Sequence, residues 1–548
     1  MLSNQSIPPS DSDKVSLRGV KDTEGARWPG RRVLLLSQLL LLWLIIIARC
    51  FLFNDFANNE VDVLPSARQQ AEGEWLPGDW YLNREIGYRM VFNGMVGPLI
   101  SSLGFIYGAV VGRLLLYLLF ATAVLYFFRT FNIRFAFGLL LLILFLNNQS
   151  LIAGEWMAGG LETKAVAWPL ALFAIAAFAR KNWSLGLATA GAALSFHILV
   201  GIYLLPCIGL ALLLNRKEYP IGKILKRGWI FVLTGSWGLY AIVRQLIAGS
   251  GGGEGWSIYV NLRVPHHVLP DLWKGSFWIV ELLVGVFAAI LLLRIARSPQ
   301  LRFFAALVLG SAFLFGIGLI IWLAGVTDLL RFYWFRFPDT VIPFAVAMMI
   351  ALLLSYLFER YPAGGSVQES AGDSLARSRS RSWSRMKQGG ELALIGLLLV
   401  LSVSEIVRKI QTFDPVLGWG ATPYVPMFDW IGENTPKNAT FMIDPAMQEF
   451  YVRAERSLFV SFKHSPQSAE DMVEWYRRLV LCNGGIPLEG KGFGAAKKIK
   501  ENFYQLDSAH IAVIAKEYGI NYYLGKTDQS LPFERIHQEG EFTLYRVQ

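Results

Sequence analysis

Residues 303–358 read "FFAALVLGSAFLFGIGLIIWLAGVTDLLRFYWFRFPDTVIPFAVAMMIALLLSYLF". Two apolar runs, about 303–325 and 338–358, flank a short charged turn. Each run is long enough to cross ~30 Å of hydrocarbon as a helix. The turn is unlike ordinary loop sequence, since Arg331, Arg336 and Asp339 crowd together with five aromatic rings within nine residues. This helix–turn–helix reading decides the fold, because runs of the same kind recur along the chain. Hydrophobic residues make up 54% of the 548 and charged residues only 17%, against ~25% in a soluble protein. The expected fold class is an α-helical polytopic membrane protein.

Spans are expected near 34–53, 107–128, 134–147, 164–180, 184–197, 198–214, 228–248, 276–294, 303–325, 338–358 and 391–408, about 11 transmembrane helices. Residues 87–104, "GYRMVFNGMVGPLISSLG", are half-apolar with Gly and Pro, and read as an interfacial helix. The first run follows a basic segment and lacks a small-residue cleavage pattern, so a retained signal anchor is expected. Charge then orients the bundle. With the N-terminus inside, the inner segments hold 24 Lys and Arg. The outer loops 54–106, 148–164, 249–275 and 326–340 hold 8, against 13 Asp and Glu. Lys and Arg accumulate in cytoplasmic loops, so the N-terminus is expected in the cytoplasm and the C-terminus outside it. The net charge of +10 therefore reads as topology, and no nucleic acid partner is expected. Cys50, Cys207 and Cys482 are too scattered for a disulfide framework or a thiolate metal site.

The expected domains are a cytoplasmic tail at 1–32 and a transmembrane bundle at 33–358, with a long first outer loop at 54–106. A charged low-complexity linker follows at 359–390, holding "ARSRSRSWSR", then a last span at 391–408. Residues 409–548 alternate strand-like and helix-like segments. "FDWIGENTP" reads as a helix, "ATFMID" and "SLFVSF" as short strands, and "SAHIAVIAKEYGINYYLGK" as helix, Gly turn and strand. "FERIHQEGEFTLYRV" reads as a hairpin turning at Glu539–Gly540. A small extracytoplasmic α/β domain is expected there.

The unusual polar residues fall in the outer loops or at outer span ends. Asp55, Glu60, Asp62 and Arg68 lie in the first loop. Glu155, Glu162 and Lys164 lie in the second, and His197 joins the fifth and sixth spans. Arg263, His266 and His267 lie in the third, and Arg331, Trp334 and Arg336 in the fourth. Each has a plainer reading. Loop acids can be solvated, and His197 can be a core histidine bonded to a carbonyl. His266–His267 can be a proline-capped turn, and "RFYWFRF" can be an interfacial belt with snorkelling arginines. Glu60 and Asp62, two apart, share a face only in an extended chain. Taken together, the acids face Arg263, Arg331 and Arg336 on the side that should be poor in positive charge. Arginine suits bidentate phosphate binding, and aromatic rings can lie along a sugar or a prenyl chain. An enzyme using a polyprenyl-phosphate donor needs a carboxylate, cations for the phosphate and an apolar groove. The competing reading is a non-enzymatic transporter or a lipid-handling or assembly protein.

This layout resembles the GT-C superfamily of polytopic glycosyltransferases. It shares an N-in first span, an acidic first outer loop ("NDFANNEVD"), an interfacial helix and an α/β tail ending "YGINYYLG" … "FTLYRV". The motifs "EVDVLPSARQ", "LPGDWYLN", "GGLETKAVAWPLAL", "FHILVG", "RVPHHVLP" and "FRFPDTVIPF" look like a group of bacterial multi-span proteins related to it. The resemblance covers most of 34–548. It implies an integral protein of the bacterial inner membrane that transfers sugar, with inversion, from a polyprenyl-phosphate donor to an extracytoplasmic acceptor. Asp62 or Asp55, with Glu60 beside it, would be general base, or Asp62 and Glu60 ligands of a divalent cation (Mg or Mn). Arg336 and Arg331 would bind the donor phosphate, helped by Arg263, with His266, His267, Lys164, Glu162, His197 and Trp334 lining the site. The first loop departs from the superfamily's paired acids, since it has no adjacent Asp-Asp or Asp-Glu, and the tail has no Trp-Trp-Asp signature.

Overall fold

The computed structural model describes residues 28–51, 55–56, 59–84, 87–247, 253–273, 275–360, 374–412 and 422–548. Each of the eleven expected spans is helical within those residues. In chain order the first helices are α1 (Trp28–Cys50), α2 (Glu60–Glu72), α3 (Met90–Phe131), α4 (Phe135–Asn147), α5 (Thr163–Ala179), α6 (Trp183–Phe196) and α7 (Ile198–Leu214). Later come the helices Phe277–Ile295, Pro299–Leu323, Arg336–Arg360 and Ser374–Gln411. Among the described residues six segments are long and apolar enough to cross a membrane, and α4 to α7 are shorter apolar helices. A contiguous core of Leu, Phe, Ala and Val side chains joins most of these helices.

Three departures from expectation have local causes. Residues 87–104 and 107–128 form one helical run, bent at Gly104, whose φ of 74° leaves the helical region; the expected boundary survives as that kink. The expected span 228–248 is broken at Gly235 into Gly228–Thr234 and Ser236–Ile247, since glycine is a poor helix former. The expected linker at 359–390 is helical from Ser374, continuous with the last span. Arginine propagates a helix well, so the low-complexity composition does not stop it there. Residues 361–373 of that linker and 1–27 of the expected tail lie outside the described residues.

The first loop also folds differently from an extended chain across a cavity mouth. Residues 60–72 form α2, which packs on the start of α3. Gly97 makes this possible, since a Cβ there would lie 2.4 Å from the Ala67 carbonyl oxygen.

The C-terminal residues form the expected α/β layer. Five strands, β1 (Thr440–Met442), β2 (Ser457–Leu458), β3 (Tyr522–Lys526), β4 (Glu534–Glu539) and β5 (Phe542–Arg546), line up in the order β2-β1-β3-β5-β4. β1 runs parallel to β2 and β3, while β5 is antiparallel to β3 and β4. The hairpin turns at Gly540, in the left-handed region at φ 56°. The helices Ala469–Cys482, Phe493–Phe503 and Ser508–Tyr518 bury Trp475, Ile499 and Ile514 in one core. The second core is not the tail's alone, because Leu76, Tyr81 and Leu82 of the first loop pack into it with Phe428 and Phe441. Asp79 clamps that junction, accepting hydrogen bonds from the Leu82 and Leu458 amides and the Tyr451 hydroxyl.

Candidate functional site

Where the loops 148–162 and 259–269 meet the start of the helix Arg336–Arg360, charged side chains are buried together. Glu155 is the centre. Its Oε2 accepts from Lys164 Nζ at 2.8 Å, and Arg336 Nε lies 2.7 Å from its Oε1. His267 Nδ1 is 3.9 Å from the same Oε1. The loop is held by Asp339, which accepts from the Ile152 and Ala153 amides and from Ser150. A cavity of about 10 Å³, room for roughly one water, is lined by Glu155, Lys164, Trp168, His197 and Arg336. His197 caps α7, its Nδ1 accepting the Val200 amide at 3.3 Å.

The helix carrying Arg336 starts at Arg336, two residues before Pro338. Tyr333, just upstream, has a φ of 56°, an uncommon backbone for a bulky residue. Its hydroxyl is 2.7 Å from the Tyr259 hydroxyl, and its ring lies under the Arg336 guanidinium at 5.0 Å. The turn therefore aims Arg336 inward. Arg331 instead stacks on Trp256 at 4.6 Å. Of the aromatic rings in this turn, Phe335 is buried in the bundle against Trp273 and Phe315. Trp334 donates to the Leu329 carbonyl and packs on Tyr203.

The first-loop acids separate, because α2 is a helix and splays positions two apart. Glu60 is buried against Arg113 of α3 and accepts from the Leu161 amide. Asp62 accepts from Arg89 at 2.7 Å on one oxygen and from Tyr81 on the other. Asp55 accepts from the Phe56 amide, while its carbonyl accepts from Arg113. Glu60 and Asp62, expected as joint ligands of a cation, thus turn to different arginines. Among the described residues no three His, Cys, Asp or Glu side chains form a ligand set.

Glu162 occupies the gap between these clusters. It is 3% exposed. Its Oε2 accepts from Asn59 at 2.9 Å and lies 3.9 Å from Lys164 Nζ. Its Oε1 has no hydrogen-bond partner among the described residues, and neither do Arg263 Nε, His266 Nδ1 and His267 Nδ1. Arg336 Nε, though beside Glu155, is not aligned for a hydrogen bond. Buried polar atoms are nearly always satisfied in proteins, so this concentration of open donors and one open acceptor marks a place for a ligand.

Two residues absent from the sequence reading complete the site. Lys463 Nζ donates to Asn59 Oδ1 at 2.7 Å, and its carbonyl accepts from Arg263 at 3.0 Å. His464 Nε2 contacts the Val61 carbonyl at 2.8 Å. Their signal was a Lys-His pair ending the apolar strand "SLFVSF". Arg89 and Tyr81, the partners of Asp62, were likewise missed.

Burial and charge tune these groups. Burial would raise the Glu155 carboxyl, but Arg336, Lys164 and His267 hold it well below the usual range. Burial likewise opposes Asp62, yet Arg89 brings it down to about 2. For Glu162 burial wins over Lys164 and Asn59, and its pKa is raised. Burial and Arg263 push Lys463 down to about 8 and His266 to about 4.

Residues 422–482 match the family model described as Domain of unknown function (DUF6798). No curated protein matches the chain. Among solved structures the chain is similar to ArnT from Cupriavidus metallidurans bound to undecaprenyl phosphate, with 12% identity and a TM-score of 0.46 over 95% of this chain and 98% of that one. The apo state of that protein gives 11% identity and a TM-score of 0.45 over 95% and 98%. The Archaeoglobus fulgidus oligosaccharyltransferase, tethered with an acceptor peptide containing the NVT sequon, gives 11% identity and a TM-score of 0.43 over 90% of this chain and 69% of that one.

Proposed function

We propose that the chain is a membrane glycosyltransferase taking a sugar from a polyprenyl-phosphate-linked donor to an extracytoplasmic acceptor, with Glu162 as general base. The carrying observation is the open oxygen of Glu162 amid cations with unused hydrogen-bonding capacity. Lys164, Arg336, Arg263 and Lys463 outnumber Glu155 and Glu162 in this buried region. Buried charge is costly unless matched, and a donor phosphate would supply the missing anion. Arginine's fork suits that phosphate, so Arg336 and Arg263 are its ligands, with His266 and His267 as further donors.

Glu162 is a better base than the first-loop acids. Both Asp62 oxygens are taken and its pKa is depressed to about 2, which makes it a weak base. Glu60 neutralises Arg113. Glu162 combines a raised pKa with a free lone pair, which suits proton transfer near neutral pH. In the reaction the acceptor hydroxyl oxygen bonds to the anomeric carbon while the bond from that carbon to the phosphate oxygen breaks. The electron pair leaves with the polyprenyl phosphate, whose charge is met by the arginines, and the hydroxyl proton passes to Glu162. A single displacement of this kind inverts the anomeric centre. Neither Asp62 nor Glu60 is assigned a metal, because they do not converge.

The test is Glu162→Gln. A general base contributes ~10²–10⁴-fold. Transfer of labelled sugar from a polyprenyl-phosphate donor in membranes should fall by that factor with membrane abundance unchanged. Retained transfer would remove Glu162 from the role.

A further inference from the structure

A second cavity, of about 210 Å³, lies in the α/β layer between residues 445–448, Phe462–Lys463 and the helix Phe493–Phe503. It is smaller than the ~300–1,000 Å³ of drug-sized sites and suits a single ring. The helix faces it with Phe493, Ala496, Lys497 and Lys500. That spacing of three, four and seven is one helical stripe. The opposite stripe, Ala495, Ile499 and Phe503, is buried in the core. Ala496 leaves the space, and Phe493, 52% exposed, offers a ring face at the mouth.

The charges around this helix are sorted. Lys498 ion-pairs with Glu489 at 2.7 Å, and Lys491, just upstream, lies 3.7 Å from Asp271. Neither lines the cavity. Lys497 and Lys500, which line it, are within ion-pairing distance of no carboxylate among the described residues. The third cation, Lys463, is 93% buried by its 7% exposure and hydrogen-bonded through Asn59 to Glu162. Asp444 accepts from the Ala446 amide and feels Lys500. Gln448 adds an amide. Three lysines, an amide and an aromatic face around one ring's worth of space are the recognition chemistry of an anionic sugar.

We propose that this cavity binds a negatively charged sugar residue of the acceptor, carboxylated or phosphorylated. Lys463 is the shared wall, facing this cavity while its Nζ reaches the Asn59–Glu162 pair. An acceptor seated here is thereby held beside the base. The assignment to the acceptor rests on the transferase reading, but the binding itself does not.

The experiment titrates the full-length protein in detergent with glucuronic acid, glucose 6-phosphate and glucose, followed by saturation-transfer NMR. Both or one of the anionic sugars should bind at least about tenfold better than glucose, and the tighter of the two identifies carboxylate or phosphate. The double change Lys497→Ala with Lys500→Ala should weaken that binding about tenfold or more, and Lys497→Arg with Lys500→Arg should preserve it. Rising salt should weaken binding in the wild type. No binding of either anion, equal binding of glucose, or an unaffected alanine double variant would overturn the proposal. The sugar titration of the unaltered protein needs no turnover, and the labelled-sugar transfer assay reads the transferase chemistry alone, so a failure of the transferase reading and a failure of this one give different results.

Discussion

Glu60 and Asp62 sit two positions apart on α2 and do different work because a helix sends them to different neighbours. Glu60 matches a guanidinium inside the bundle, and removing one partner of a buried pair typically costs ~3–5 kcal/mol. Glu60→Gln should therefore lower the melting temperature and the membrane abundance of the protein. The double change Glu60→Leu with Arg113→Met should recover most of the loss, since a buried pair can be replaced by apolar side chains. A thermal melt in detergent, read by size-exclusion, checks both. A stable Glu60→Gln protein lacking transfer would instead restore Glu60 to the chemistry. Glu60 was legible in the sequence as an unusual acid. Its pairing with Arg113 was not, because the two lie 53 positions apart.

At the scale of elements, two junctions carry the site. The first is the turn "LLRFYWFRFPDT", where the left-handed Tyr333 separates two arginines with different tasks. A charge-assisted hydrogen bond is worth ~1.5–3 kcal/mol, or ~10–100-fold in binding. Arg336→Lys should raise the KM for the polyprenyl-phosphate donor by that factor, and Arg331→Lys should change it much less, because Arg331 is stacked on Trp256. Wild-type kinetics in both variants would make the turn an interfacial anchor. The second junction is the Asp79 clamp between the first loop and the sheet. Burial raises the Asp79 carboxyl from 3.8 to about 6 despite hydrogen bonds from Leu82, Leu458 and Tyr451. Between those values the folded chain holds a proton that the unfolded chain has released. Stability from this group is therefore present below pH ~4, falls as pH rises to about 6 and is level above, by on the order of 1–3 kcal/mol. Asn cannot titrate, so Asp79→Asn should lack that fall whatever its absolute stability. Melting temperatures of both proteins from pH 4 to 7 provide the comparison, and parallel profiles would assign the proton elsewhere.

For the whole molecule, the excess of Lys and Arg in alternate loops leads us to expect a cytoplasmic N-terminus, with the α/β layer and the charged site on the opposite side. A membrane-impermeant maleimide added to intact cells should label a cysteine introduced within 520–530 and spare one within 374–380. The reverse pattern would invert the orientation and put the site on the cytoplasmic face. The α/β layer also draws Leu76, Tyr81 and Leu82 from the first loop into its core. The first loop and the tail are thus one packed unit across some 350 residues of chain.

The membrane class, the helical segments, the Gly104 boundary and the C-terminal strands were all determined by local pattern. Apolar run length, period and turn residues act over a few neighbours, and a bilayer or a core rewards them wherever they occur. Which acid stays open was decided only by tertiary structure. Asp62, Glu60 and Glu162 are chemically alike in the sequence. Arg89 and Tyr81 close the first, and Arg113 closes the second. The third keeps an open oxygen among the described residues, while Asn59 and Lys164 approach its other one. Lys463 reaches that cluster across 404 positions. A carboxylate's role depends on the partners that surround it, and contacts across such separations exist only once the chain has packed.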